Sequence, residues 1–163
     1  MLNWRQPRLC LLALGLGSAA TVVLALVAQH HFGMEPCPWC ILQRMQIIGI
    51  SVLALLAAAI PSKWVRVGLS GLIVPLAISG MAAALWQHFV AAKTNSCALT
   101  LADRIISGMG LDTRFPEVFE VRASCADAAV SIIGIPFEFW SLAWFVISAL
   151  VAVIAIGLSV RRA

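Results

Sequence analysis

The sequence predicts an all-α membrane protein: a four-transmembrane-helix bundle with a long outer loop that carries a short amphipathic surface helix. Three observations predict it. First, 62% of the 163 residues are hydrophobic and only 11% are charged, with a mean hydropathy of +1.00, far from the mix of soluble domains. Second, four apolar runs, at about 9–29, 41–60, 65–90 and 139–160, are each long enough to cross a bilayer, which takes roughly 20 residues. Third, the charges segregate. Arg5, Arg8, Lys63, Arg66, Arg161 and Arg162 fall on one side of the predicted spans, with no acid among them. All seven acids fall on the other side, in the connections at about 30–40 and 91–138 and at Glu138.

The positive-inside bias then puts both termini and Lys63 in the cytoplasm, and residues 1–163 read as one integral membrane domain. The net charge of +4 becomes a topology signal, not a sign of nucleic-acid binding. Both cysteine-bearing loops face outward, into an oxidising compartment.

The first run is too long for the core of a cleaved signal peptide, roughly 7–15 residues, and reads as a retained helix. Its small residues Gly15, Gly17, Ser18, Ala19 and Ala20 suit close helix approach in lipid. Cys10, near its cytoplasmic start, is the odd one of five cysteines and reads as a small apolar packing residue. Gln29, His30 and His31 end this run, and Phe32-Gly33-Met34-Glu35-Pro36 turns the chain toward Cys37.

Cys37-Pro38-Trp39-Cys40 opens the second run. Pro38 suits the first helical position, where a missing N–H costs nothing. Both cysteines therefore belong at a helix amino end, where free N–H groups and the dipole favour a thiolate. Arg44 follows one turn after Cys40, on the same face. An arginine just inside a membrane helix either snorkels to the interface or has a partner, and here a partner beside the dithiol is favoured. Gln43 and Gln46 fit a solvated helix end equally well. Ile60-Pro61-Ser62-Lys63 makes a tight cytoplasmic hairpin connection. The third run contains Pro75 and Gly80, which predict a kink, and closes on Trp86-Gln87-His88. His88 reads either as an interfacial polar residue or as a ligand-side group.

In the outer loop, Ala102, Ile105, Ile106 and Met109 recur at helical spacing opposite Asp103 and Arg104, as in a short helix lying on the membrane surface. Gly108 and Gly110 end it, and Arg114-Phe115-Pro116-Glu117 reads as a turn. Trp140 and Trp144 read as interfacial anchors for the last run.

Four outward cysteines remain: the Cys37/Cys40 pair, and Cys97 with Cys125, 28 positions apart. Two permanent disulfides are the plain structural alternative. Stapling gains little from a CxxC loop, because the stabilisation grows with the size of the loop closed, whereas CxxC is a usual spacing for an exchanging dithiol. A four-thiolate zinc site is disfavoured by the oxidising side, and a c-type haem would need histidine where Ile41 stands. No glycine-rich nucleotide-binding pattern supplies an electron acceptor. A dithiol at the membrane rim above Arg44 points to a lipid-soluble carrier, and a quinone fits, since a guanidinium stabilises the charge gained on reduction.

The chain resembles the DsbB family of bacterial disulfide-bond-forming membrane proteins along nearly its whole length. The resemblance rests on four spans with both termini inside, Gln29-His30 before Pro36-Cys37-x-x-Cys40, and Arg44. Further along it rests on Gln87-His88, the second cysteine pair with Cys125-Ala126, and Gly134-x-Pro136 leading to Trp140. The vitamin K epoxide reductase family uses similar chemistry with the opposite cysteine order.

The resemblance implies a quinone-dependent protein thiol oxidoreductase of the bacterial cell inner membrane. Its partner would be a periplasmic DsbA-like thioredoxin-fold protein, whose reduced form attacks a Cys97–Cys125 disulfide at Cys97. Cys125 would pass electrons to the Cys37–Cys40 pair, with Cys40 adjoining ubiquinone or menaquinone, Arg44 binding the quinone and His88 a second candidate for that pocket. Two residues depart from a well-studied relative: Val22, where that relative has an acid, and Val130, where it has a tryptophan.

Overall fold

The computed structural model describes residues 5–93 and 100–161; the expectations placed on Cys97 lie outside them. Four long helices dominate: α1 (Arg5–Phe32), α2 (Pro38–Ala59), α3 (Lys63–Phe89) and, after the loop, α7 (Phe137–Val160). Each contains a stretch long and apolar enough to cross a membrane, so the chain is an all-α, multi-pass membrane protein. The helices form a ring in which α1 packs along α2, α2 along α3, α3 along α7 and α7 back along α1.

Why these helices face lipid is visible in their surfaces. Leu24, Trp64, Leu150 and Val153 are more than half exposed on the outside of the ring, an arrangement that water would penalise and hydrocarbon does not. The interior is built from Leu11, Leu14, Ile47, Ile50, Ile73, Phe145 and a series of alanines. Close approach depends on small residues, as the first apolar run suggests. A Cβ on Gly15 would overlap Leu55, and one on Gly17 would overlap the Trp144 indole. Ser51 donates to the Gly15 carbonyl (2.8 Å), a polar clasp of the sort that joins helices in lipid. Trp144 is thus not the interfacial anchor expected of it. Its ring lies on Gly17 and its Nε1–H donates to Ser18 Oγ (3.1 Å). Gly80 makes the tightest contact of all, leaving room for the Phe145 ring where a side chain would stand.

The loop between α3 and α7 is folded back on the bundle. After a 3-10 turn (Ala91–Lys93), α4 (Leu101–Met109) opens on a capping box in which Thr100 Oγ1 accepts from the Asp103 N–H and the Asp103 carboxylate accepts from the Thr100 N–H. The box satisfies free N–H groups of the first turn. The helix ends at Gly110, whose φ of +62° needs a residue without Cβ. Of the expected apolar face, Ala102 and Ile106 are fully buried, while Ile105 and Met109 stay exposed. The helix therefore lies partly on the protein, against the start of α2, as well as presenting an outer face.

The turn expected at Arg114–Glu117 is two single-turn helices, α5 (Leu111–Arg114) and α6 (Pro116–Phe119). Just before α7 comes a feature that the sequence does not announce, a hairpin of β1 (Ser131–Ile132) and β2 (Ile135–Pro136). Its two central residues, Ile133 and Gly134, both have positive φ, as a two-residue turn matching the strand twist requires.

The Gly80–Phe145 contact gives a direct test. Gly80→Leu should lower the thermal midpoint in detergent by the equivalent of about 1–3 kcal/mol, the usual cost of overpacking. Gly71→Ala, with open space around it, should not lower it.

Candidate functional site

The end of the bundle that carries the cysteines is organised by the first turn of α2. Cys37 is the N-cap, in extended conformation (φ −84°, ψ 167°), and Pro38 is the first helical residue, the position its sequence context suggests. In this cap the sulfur of Cys37 takes the place of the usual oxygen and accepts the Cys40 N–H at 3.3 Å. One helical turn brings the two sulfurs to 2.8 Å. Cys37 is completely buried, in a cluster with Trp39, Leu42, Ala83, Ala91, Ala102 and Cys125.

Cys125 completes a row of three sulfurs. It shares a hydrogen bond with Cys37 and accepts the Trp39 N–H. The two cysteines are pushed in opposite directions. The hydrogen bond from Cys37 holds the Cys125 thiol below its usual range, while hydrogen bonding to Cys125 and Cys40, and burial, push Cys37 well above it. Of the two, Cys125 is the one whose surroundings favour loss of the proton. Cys10 is free and partly buried, near the start of α1.

On its other side, Cys40 borders a cleft of ≈ 370 Å³, within the range of small-molecule sites. The walls are largely apolar, including Val22, Ile47, Val130, Ile132, Phe137 and Trp140, and the polar residues that line it are Cys40, Gln43, Arg44 and Gln87, with Thr21, Glu35 and Ser141. Gln43 is buried, not solvated. Its Nε2 donates to Gln87 Oε1 (2.7 Å), and Gln87 Nε2 donates to the Cys40 sulfur (3.3 Å). Gln46 reaches Ser79 (3.1 Å). This amide chain could have been suspected from two glutamines near the ends of α2 and α3, yet the same residues suit a wet helix end.

Arg44 does not snorkel. It is 7% exposed, and its Nη1 donates to Gln29 Oε1 (2.9 Å) and to the Val118 carbonyl in α6 (2.6 Å). Gln29 and Val118 were not legible as its partners from spacing, because one is a helix-end polar residue and the other acts through its backbone. His88 does not line the cleft. Its Nδ1 hydrogen-bonds the buried Glu138 carboxylate at 2.6 Å, and its ring packs on Phe89 and Phe139. Thus Cys37, Cys40, Cys125 and Arg44 come together, His88 stands apart with Glu138, and Cys97 lies outside the described residues.

Comparison with known proteins bears directly on this site. The family model described as "Disulfide bond formation protein DsbB" matches residues 7–155. The chain belongs to the DsbB family. It is 32% identical over 159 residues to Disulfide bond formation protein B 1 of Pseudomonas putida, an alignment covering 97% of this chain and 95% of that one. Against Disulfide bond formation protein B of Ralstonia nicotianae the identity is 32% over 141 residues, 85% of this chain and 86% of the other. Against Disulfide bond formation protein B 1 of Pseudomonas syringae pv. syringae it is 31% over 148 residues, 89% and 86%. As a DsbB-family member the chain is a disulfide-forming oxidoreductase.

The opposed shifts on Cys37 and Cys125 predict an alkylation profile. In the reduced protein, the iodoacetamide rate at Cys125 should reach half-maximum below the pH usual for a free cysteine. Cys37→Ala, which removes the hydrogen-bond donor, should move that midpoint upward; an unmoved midpoint would show that Cys37 does not stabilise the thiolate.

Proposed function

We propose that this protein reoxidises a periplasmic DsbA-type thioredoxin-fold protein and passes the electrons through two cysteine pairs to a membrane quinone, ubiquinone or menaquinone. On this reading it sits in the bacterial inner membrane with its cysteine end toward the periplasm and both termini in the cytoplasm. One observation carries the proposal: Cys125, Cys37 and Cys40 stand in a row that begins at the loop and ends at an apolar cleft.

The steps follow from thiol–disulfide exchange, in which a thiolate attacks one sulfur and expels the other. A partner thiolate attacks Cys97 of the Cys97–Cys125 disulfide and releases Cys125 as a thiolate. The partner's second thiol resolves the mixed disulfide, so the partner leaves oxidised and Cys97 is left reduced. Cys125 attacks Cys37, the bond to Cys40 breaks, and Cys40 departs as a thiolate beside the cleft. Cys97 then attacks Cys125, which restores the loop disulfide and frees Cys37. The two electrons now reside on Cys37 and Cys40.

The cleft residues fit a quinone headgroup. The walls are apolar, the volume is adequate, and Arg44 and Gln87 bring hydrogen-bond donors to a site that accepts carbonyl oxygens. Bound there, a quinone would take up the two electrons and two protons released as the Cys37–Cys40 disulfide closes. Arg44 supplies positive charge beside Cys40 and would favour any negative charge gained by the acceptor. Gln87 holds the Cys40 sulfur at the cleft wall. We assign His88 to its pair with Glu138 rather than to quinone contact.

Quinone reduction followed in the ultraviolet, with reduced partner as donor, tests the proposal. Cys40→Ser should abolish quinone reduction while a mixed disulfide still forms at Cys97. Arg44→Ala should lower kcat/KM for quinone at least about tenfold, the worth of one charge-assisted hydrogen bond, while the Cys37–Cys40 disulfide still forms. Unaltered quinone kinetics in Arg44→Ala would remove the role given to Arg44.

A further inference from the structure

The loop that carries Cys125 is fastened to the helix ends at three successive places. At the first, Val118 gives its carbonyl to Arg44 (2.6 Å), and Gln29 donates through Nε2 to the neighbouring Glu117 carbonyl (3.4 Å). At the second, the Arg122 and Ala123 N–H groups both donate to the Pro36 carbonyl (3.1 and 3.3 Å), one residue before Cys37. At the third, Cys125 meets Cys37 and the Trp39 N–H. A surface clasp, His30 Nε2 to Glu117 Oε2 (3.0 Å), supports the first.

Gln29 joins α1, α2 and the loop at the first point. It is 6% exposed, accepts from Arg44 through its oxygen, and donates to the loop through its nitrogen. Only an amide side chain does both at that length. We propose that Gln29 is a positioning residue for the exchange between Cys125 and Cys37. By bridging Arg44 and the Glu117–Val118 backbone, it holds the loop in the register that sets Cys125 against Cys37.

The step it serves is balanced within the chain: the Cys125 thiolate forms a bond to Cys37, the Cys37–Cys40 bond breaks, and Cys40 leaves as a thiolate. Without the anchor the loop still tethers Cys125 near Cys37, but over a wider volume, and the effective concentration of one sulfur at the other falls. The clasp of His30 and Glu117 adds little, since exposed ion pairs contribute weakly. This inference rests on the relay proposed above and is independent of the quinone.

The test uses full-length protein in detergent, with Cys10→Ala throughout, equilibrated in glutathione redox buffers. In a Cys40→Ser, Cys97→Ser background, the effective concentration of the Cys37–Cys125 pair is read from the fraction oxidised. Gln29→Ala should lower it about tenfold, the worth of one charge-assisted hydrogen bond. Gln29→Glu, which keeps the acceptor for Arg44 and loses the donor to the loop, should lower it about threefold, the worth of one neutral hydrogen bond. Glu117→Ala should change it by about twofold or less.

The Cys37–Cys40 pair, measured with Cys97→Ser and Cys125→Ser, should shift by no more than about twofold under Gln29→Glu, whose acceptor for Arg44 is retained. If the Cys37–Cys125 disulfide does not form even with Gln29 present, the relay itself fails. If it forms and neither Gln29 variant weakens it, the relay stands and the positioning role is overturned. Equal loss of both disulfides in both variants would overturn it too, because Gln29 would then be a general structural support.

Discussion

A guanidinium buried at the mouth of a membrane bundle sets the terms for everything around it. Arg44 lies one turn inside α2 with 7% of its surface exposed. Removing such a charge from water costs several kcal/mol unless its donors find acceptors. Among the described residues the ring of four helices offers it one side-chain acceptor, Gln29, and a second acceptor comes from outside the bundle. The loop supplies the Val118 carbonyl. A single-turn helix made of Pro116–Phe119 is a suitable donor of such an acceptor, because its last carbonyls have no partner within so short a helix. The unsatisfied end of α6 and the under-satisfied Arg44 answer each other's need.

That pairing has a consequence for the sulfurs. Once α6 sits on Arg44, the chain has only a few residues in which to reach Cys125, and it runs past Pro36 on the way. Cys37 is fixed by its own N-cap geometry. The meeting of Cys37 and Cys125 is therefore the product of two independent constraints, a rigid helix start and a loop hung from an arginine. The sulfur row divides two environments: a loop side where the Trp39 N–H donates to Cys125, and a cleft side where the Gln87 amide donates to Cys40 with Arg44 nearby. A path for electrons from a water-soluble donor to a lipid-soluble acceptor needs such a division, with polar groups only where charge appears.

How much of this was legible in the sequence divides along the same line. The four helices could be read because hydropathy over twenty-odd residues is a strong, local signal, and Pro38 after Cys37 marked the start of α2 just as plainly. Arg44 was conspicuous because a charge among apolar residues has few explanations. What it bonds to was not, since Val118 acts through a carbonyl that every residue possesses. Gln43 and Gln87 illustrate a different limit. A glutamine near a helix end looks the same whether it faces water or a second glutamine across a helix contact, and only the pairing of α2 with α3 decides. Trp144 misled for a related reason: the belt preference of tryptophan is a statistical tendency, and Gly17 and Ser18 on α1 made a specific seat for its ring. The hairpin escaped because two residues per strand carry no periodicity, and Ile133, a β-branched residue with φ of +56°, is an unexpected occupant of its turn.

The cleft walls bear on selectivity. Val22 and Val130, the two positions that depart from a well-studied relative, both line the cleft. The polar side chains that line it are Cys40, Gln43, Arg44 and Gln87, together with Thr21, Glu35 and Ser141, and most of the remaining surface is apolar. Hydrogen bonds to a fixed polar group discriminate sharply between ligands that satisfy it and ligands that do not, whereas apolar walls discriminate weakly, by a few kcal/mol at most per missing group. On the reading proposed above, a site of this composition would select for carbonyl oxygens near Cys40 and would be permissive about ring substituents and tail. On the same reading the stringency of the protein resides at its other end, where the loop seated on Arg44 and Gln29 sets Cys125 against Cys37.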